Sequence, residues 1–299
     1  MDLTGFGFAS VALILFGLYM VPRKLTRLRD LPFVLSMCLG VVVSTTLASL
    51  LRHGVPLLRV DGYAGGLAFA CGPVWYLGVL FYTISVTRMG LTLATPIKNT
   101  TAVLGNLIGL IYFAEWRETH AVPALIGSLL VVVSAWIISR TSENHEQRST
   151  LSAAGIAAAL TAAVFFASYT IPFRLAQRAG LDTVTLVAYM GLGTLAGAVV
   201  AFALLDRNWR AWLATPPREH GYAALCGALW VAAVIAMAEA IRHVGLAITW
   251  PFTNLNTIVT IACGILFFHE IDVRKFGKVL VVGLAVGVLG IVLLGVARL

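Results

Sequence analysis

One lysine lies inside a long apolar stretch of this sequence, where a charge is costly. Lys98 stands in ATPIKNTT, two residues after Pro96. A proline in a helix removes a backbone N–H and frees a carbonyl one turn earlier, so a helix break is expected beside Lys98. A substrate anion, a hydroxyl-rich face or a neighbouring carboxylate could partner the ammonium. The alternative is a lysine whose stem carries its charge out to an interface.

Amide side chains follow two prolines at corresponding places in the chain. Asn99 is next to Lys98, and Asn254 and Asn256 follow Pro251 in WPFTNLNT. Amides at broken helices can hydrogen-bond a substrate, and they can equally bond one helix to another. We therefore predict substrate binding by these three amides, with interhelical bonding as the alternative.

Glu239, in VIAMAEAIRH, is a carboxylate inside an apolar block. A carboxyl group placed there can bind and release a proton, which is what proton coupling requires. The alternative is a structural ion pair with Arg242, and Lys98 is another candidate partner. Glu115 and Glu270 end two equivalent segments and are predicted to orient or gate the helices.

Aromatic rings stack on sugar rings and on drug-like rings, and their polar tips can form hydrogen bonds. Six aromatic residues complete the predicted substrate-binding set: Trp75, Trp230, Tyr82, Tyr19, Tyr169 and Trp250. Tyr82 follows Trp75 by seven residues and so shares its helical face. Packing between repeated halves, or a belt at the membrane interface, is the alternative for these rings.

No catalytic residue, metal site or cofactor is predicted. The six histidines fall in loops or at the ends of apolar segments, whereas an intramembrane enzyme would need clustered His, Asp or Glu within them. The four cysteines lack the spacing that zinc requires, and no strand precedes a glycine-rich phosphate loop. The basic residues are scattered over loops, which argues against nucleic acid as a partner.

Composition indicates a membrane protein. Hydrophobic residues make up 60% of the 299 and charged residues 11%, with mean hydropathy +0.93. The apolar residues form blocks of about 20, long enough to cross a bilayer as helices. The predicted fold is an all-α polytopic membrane protein with ten transmembrane helices. The ten blocks are 4–22, 31–51, 65–86, 91–113, 120–139, 152–171, 182–205, 221–241, 246–268 and 278–297.

The loops after odd-numbered blocks hold 13 of the 21 Lys and Arg residues, and the other loops and the C-terminal tail hold seven. Because Lys and Arg concentrate in cytoplasmic loops, this bias places both termini outside.

The chain contains an internal repeat. CGPVW at 71–75 returns as CGALW at 226–230, and GLTLATPIKNTTAVLGNLIGLIYFAEW aligns without a gap to GLAITWPFTNLNTIVTIACGILFFHEI, 155 positions later. FGLYMVPRK also matches FASYTIPFR at an offset of 150. Residues 1–150 and 151–299 are thus predicted to be two five-helix repeats. Five is odd, so the second repeat must be inverted in the membrane, as in many secondary transporters.

The tryptophan motif of each third span, the G-L-x-x-x-x-P fourth span and its FAEW or FFHE ending resemble the drug/metabolite transporter (EamA-like) superfamily. Within it the chain is most similar to the glucose/ribose/rhamnose porters, which share the end of the first span, here Gly17, Tyr19, Pro22 and Lys24. That resemblance implies amide side chains four and six positions after each tryptophan. The sequence departs from it there, with Val79, Phe81, Val234 and Ala236.

These observations predict a secondary active transporter in the cytoplasmic membrane. It would move a small, sugar-like polar metabolite by alternating access, with H⁺ as the coupling ion. The apolar Val79 and Phe81 keep export of an amphipathic metabolite or drug as the alternative. The expected partners are the small-molecule substrate, H⁺ and the lipid bilayer, and the sequence leaves a homodimer open.

Overall fold

The computed structural model describes residues 2–53, 62–89, 94, 97–139, 152–256, 258–259, 262–263 and 273–297, and within these ranges the regular structure is helical. The α-helices are α1 (Leu3–Leu18), α2 (Asp30–His53), α3 (Gly62–Met89), α4 (Thr101–Leu107), α5 (Ala121–Ser139), α6 (Ala153–Ser168), α7 (Thr170–Arg178), α8 (Thr183–Leu205), α9 (Trp209–Leu213), α10 (Pro217–Val244), α11 (Leu246–Thr253) and α12 (Val273–Val296). Short 3₁₀ helices lie at Val21–Leu25 and Glu115–Arg117, and a π-helical turn, Ile108–Tyr112, continues α4.

Eight helical segments in the described ranges are long and apolar enough to cross a membrane. They correspond to eight of the ten blocks and confirm a helical protein that crosses the membrane several times. The remaining blocks, 91–113 and 246–268, contain the short helices α4 and α11 and lie partly outside the described residues. The count of ten spans therefore stays a prediction.

The chain divides into two compact units, each assembled from separate stretches of sequence. Unit I comprises Met1–Gly17, Gly78–Ala167 and Ala236–Leu299, and unit II comprises Leu18–Leu77 and Ser168–Ile235. Each unit thus draws residues from both predicted repeats, and the sequence of α3 and of α10 is shared between them. The division into 1–150 and 151–299 is a division by sequence repeat, and it stays a prediction.

Within unit I, α5 and α12 pack side by side and run in opposite directions. A Cβ on Gly127 would lie 2.9 Å from the carbonyl oxygen of Gly290. About two turns further along α5, the Ser134 hydroxyl donates a hydrogen bond to the Gly283 carbonyl at 2.7 Å. Because contacts that advance along α5 retreat along α12, the pair is antiparallel.

The short helices α4 and α11 form a second antiparallel pair in unit I. The indole Nε1–H of Trp250 donates to the Thr101 carbonyl at 2.9 Å, and the Asn106 amide donates to the Ala247 carbonyl at 3.1 Å. Gly105 makes the approach possible, because a Cβ there would overlap the Trp250 ring. Side-chain donors thus tie each helix to backbone carbonyls of the other.

A buried carboxylate holds the start of α11. Glu115, 6% exposed, accepts the backbone N–H of Leu246 at 3.1 Å on Oε1 and that of Ala247 at 2.8 Å on Oε2. The first N–H groups of a helix have no partner within it, and the positive end of the helix dipole favours an anion. Gly245, with φ at +84°, precedes the helix, and a Cβ there would lie 2.8 Å from Oε2. Glu115 therefore caps α11 from a distant part of the chain.

Within unit II, two helix crossings depend on glycine meeting glycine. A Cβ on Gly227 of α10 would lie 3.1 Å from the carbonyl carbon of Gly40 in α2. A Cβ on Gly72 of α3 would collide with the backbone of Gly193 and Thr194 in α8. Gly72 and Gly227 are repeat equivalents at the offset of 155, so the second helix of each repeat packs on the third helix of the other.

We expect Gly72→Ala to lower the unfolding temperature in detergent, because the added methyl group must displace the α8 backbone. Overpacking of this kind costs about 1–3 kcal/mol. Gly66→Ala is the matched control in the same helix, since a Cβ there meets nothing within 4 Å. The control should hold or raise the unfolding temperature, and equal effects of the two variants would contradict the crossing described here.

We expect Glu115→Ala to expose the start of α11 to hydrogen exchange, because it leaves two buried N–H groups without an acceptor. Each such loss costs about 1–3 kcal/mol. Exchange measured by mass spectrometry should rise in peptides that span 245–253. The exposed Glu118, changed to Ala, is the control and should leave that exchange unchanged. Unaltered protection in Glu115→Ala would show that the cap contributes nothing.

Candidate functional site

The ammonium of Lys98 lies over two aromatic rings in unit I. Its Nζ is 5.5 Å from the centroid of the Tyr82 ring and 5.9 Å from that of Phe166. The negative face of an aromatic ring attracts a cation at such distances. Among the described residues, the Lys98 ammonium contacts these two rings and no carboxylate. The predicted substrate residues Lys98 and Tyr82 therefore lie together.

Packing between α3 and α6 positions these two rings. Phe81 and Phe165 stack with parallel planes, 8° apart, at a centroid distance of 5.8 Å. Gly78, one turn before Tyr82, admits the Phe166 ring, because a Cβ there would lie 2.7 Å from the ring carbon Cδ1. Phe81, which stands where an amide was expected, thus contacts α6 at the residue before Phe166.

The helical backbone is interrupted just after Lys98, and it is interrupted at the equivalent position of the second repeat. Residues 99–100 form a turn before α4, and residues 254–255 form a turn after α11. The N–H of Ala102 donates to the Asn99 carbonyl three residues earlier, at 2.9 Å. The N–H of Leu255 likewise donates to Phe252, at 3.2 Å. Both predicted breaks occur; Pro96 lies outside the described residues, and Pro251 lies within α11.

The Asn254 side chain repairs the hydrogen bonding of its own helix. Its Nδ2 donates to the Trp250 carbonyl at 2.8 Å, the group to which its backbone N–H would donate in a regular helix. That N–H donates to Pro251 instead, at 3.1 Å. The Thr253 hydroxyl also donates to the Trp250 carbonyl, at 3.0 Å. One amide donor of Asn254 is therefore committed to the helix break.

The other two amides lie at the same breaks. Asn99 is fully buried, and Asn256 is half-buried. The Asn256 carbonyl faces α1, where a Cβ on Gly17 would lie 2.9 Å from it. Substrate binding by these amides stays a prediction.

The repeat-equivalent tryptophans contact each other in unit II. The rings of Trp75 and Trp230 have centroids 4.5 Å apart and planes inclined by 43°, and the two side chains are 4% and 2% exposed. Packing between the repeated halves was the predicted alternative to substrate contact for these rings. Tyr169 is also buried in unit II and meets Phe173 edge to face at 6.3 Å, whereas Tyr19 is half-buried.

Glu239 lies in the part of α10 that belongs to unit I and is half-buried. Glu115 is the cap of α11 described above. Glu270 lies outside the described residues. The roles predicted for these carboxylates, proton coupling and gating, stay predictions.

The predicted residues separate into two groups. Unit I holds Lys98, Asn99, Tyr82, Trp250, Asn254, Asn256, Glu115 and Glu239, and unit II holds Trp75, Trp230, Tyr19 and Tyr169. Sequence reasoning missed Phe166 and Asn106. The match of Phe16 to Phe166 in the repeat is a signal that could have identified Phe166. Asn106 could have been identified because it follows Asn99 by seven residues in a fourth span with few polar groups.

Comparison with known proteins identifies relatives over most of the chain. A family model described as "Sugar transport protein" matches residues 34–297. A Streptococcus pyogenes serotype M1 protein is 26% identical over 231 residues, which are 76% of this chain and 77% of that protein. A Streptococcus agalactiae serotype V protein is 25% identical over 245 residues, 81% and 80% of the two chains. Both carry the name "Putative sugar uptake protein".

A solved structure, described only as "Crystal structure of protein", has the same fold. It matches with a TM-score of 0.75 at 14% identity and covers 98% of this chain and 97% of its own. At that identity the likeness concerns the fold alone. The family match covers far more than half of the sequence, so this chain belongs to the sugar transport protein family.

Proposed function

We propose that this multi-pass membrane protein is a secondary active transporter that moves a small sugar-like metabolite across the cytoplasmic membrane by alternating access. The observation that carries the proposal is the family match over residues 34–297. The relatives named for sugar uptake support a sugar as substrate. The drug/metabolite transporter superfamily, with its ten spans, is the wider group to which we assign the chain.

Two inverted five-helix repeats are the architecture that we propose for alternating access. The helices α5 and α12 are the last spans of the two repeats, and α4 and α11 belong to their fourth spans. Both pairs are antiparallel, which supports opposite orientations in the membrane. The glycine crossings of unit II are reciprocal, since each repeat's second helix packs on the other's third, which supports a two-fold relation between the repeats. Two such halves can exchange conformations and open a site to one face and then the other.

The substrate site that we propose centres on Lys98 and Tyr82. An ammonium donates hydrogen bonds to hydroxyl groups, and an aromatic face packs on the C–H face of a sugar ring. Asn99, Asn254 and Asn256 lie at the adjoining helix breaks and would supply further polar contacts. Broken helices at binding sites are typical of such transporters.

The stacked Phe81 and Phe165 favour a second candidate, export of an amphipathic metabolite. An apolar aromatic pair beside the Lys98 site would pack on an apolar substrate without leaving hydroxyl groups unpaired. Uptake by proteoliposomes of labelled glucose, ribose and rhamnose, with and without a pH gradient, separates the two. Sugar accumulation supports the first function, and no uptake of any sugar would contradict it.

We expect Lys98→Ala to abolish transport while the protein stays folded and inserted, because the variant loses the charged donor of the proposed site. The measurement is sugar uptake by proteoliposomes, with size-exclusion elution as the check on folding. Lys278→Ala changes an exposed lysine of α12 and is the matched control. Uptake by Lys98→Ala at the wild-type rate would remove Lys98 from the site.

We expect Glu239→Gln to uncouple transport from the proton gradient, because the amide cannot take up a proton. Gradient-driven accumulation should be lost while downhill exchange continues. The control is Glu118→Gln, which changes an exposed carboxylate, and it should accumulate sugar normally. Accumulation that persists in Glu239→Gln would assign coupling to another group.

A further inference from the structure

We propose that the substrate of this protein is a sugar that carries one carboxylate, and that Lys98 is its counter-ion. The inference rests on the proposed function and narrows it from sugars in general to sugar acids. It depends on the contacts of the Lys98 ammonium in unit I. Those contacts attract the charge without neutralising it.

The surroundings of Lys98 are apolar. Ala94, four residues before Lys98, and Ala159 are fully buried, and Ile97, Ile156 and Tyr82 pack against them. Tyr82 links this apolar cluster to the Lys98 ammonium. The cost of holding a cation among such groups, out of water, is large unless an anion compensates. Aromatic faces at 5.5 and 5.9 Å offset only a part of that cost, about 0.5–2 kcal/mol for each.

None of the described groups that contact Lys98 supplies the compensating anion. Within the described ranges, Tyr82 and Phe166 are the groups that its ammonium meets, and neither is acidic. Glu115 follows the segment that contains Lys98, and both of its oxygens accept N–H groups of α11. An anion brought by the substrate would complete the site.

The charge and shape of the site favour a carboxylate. One ammonium matches one negative charge, whereas a phosphate ester carries up to two and requires more donors. The rings of Tyr82 and Phe166 provide an apolar surface at the ammonium, suited to the C–H face of a pyranose. A neutral hexose would leave the half-buried charge uncompensated, and so it should be the poorer substrate.

Counterflow in proteoliposomes tests the inference without knowledge of the coupling ion. Vesicles loaded with unlabelled D-glucuronate or D-glucose exchange with the labelled form of either sugar at pH 7. The two sugars differ only at C6, where glucuronate has a carboxylate and glucose a hydroxymethyl group. We expect wild-type exchange of glucuronate to exceed that of glucose at least tenfold, and the methyl ester of glucuronate to behave like glucose.

Two variants separate charge from stability. Lys98→Met removes the charge and keeps the length of the stem, and Lys98→Arg keeps the charge. Lys98→Met should lose glucuronate exchange at least tenfold and should lower the weaker glucose exchange by a smaller factor, so that the preference for glucuronate disappears. Lys98→Arg should retain most of the preference for glucuronate.

The outcomes divide cleanly. If the wild type exchanges glucose as well as glucuronate, or if Lys98→Met lowers both alike, the sugar-acid inference is wrong and the proposed sugar transport stands. If the wild type exchanges neither sugar in either direction, both are wrong. A preference for glucuronate that disappears in Lys98→Met and persists in Lys98→Arg supports both.

Discussion

Lipid cannot hydrogen-bond a polypeptide backbone, and the short helix α11 meets that constraint with side chains. At each of its ends a side chain replaces a missing backbone partner. The Asn254 amide donates to the Trp250 carbonyl, and the Glu115 carboxylate accepts the first N–H groups of α11. Each unpaired backbone group in an apolar interior would cost several kcal/mol. The breaks can persist inside the protein because those costs are avoided.

The same groups also decide which polar atoms remain for a ligand. Asn254 uses one donor locally, and Trp250 uses its indole N–H on Thr101. Lys98 differs from both. Among the described residues its ammonium contacts two aromatic faces, and these offer no hydrogen-bond acceptor atom to its three N–H donors. The proposed site thus combines polar groups that are committed to the backbone with one charged group, Lys98, that could bind a substrate.

Much of the fold could be predicted from the sequence, because composition and block length are local properties. The helices α2, α5 and α8 follow from uninterrupted apolar blocks, and the turns at 99–100 and 254–255 follow from the sequence patterns around the prolines. Long-range partners could not be predicted. Nothing near Glu115 in sequence indicates that it caps a helix 131 residues away. The ring of Phe166 reaches Lys98 only through the packing of α3 on α6, which periodicity does not specify. The grouping of residues into two units likewise depends on tertiary contacts alone.

The contact between Trp75 and Trp230 has a consequence for how this sequence can change. Each ring packs against its repeat equivalent. In an ancestor with two identical repeats, the same residue type would have lain on both sides of this contact. A smaller side chain at either position opens a void that only the other position can fill. Substitutions at 75 and 230 should then be correlated among descendants of the duplication, with bulk lost on one side regained on the other. The sequences of the two repeats should therefore diverge most slowly at positions where one repeat packs on the other.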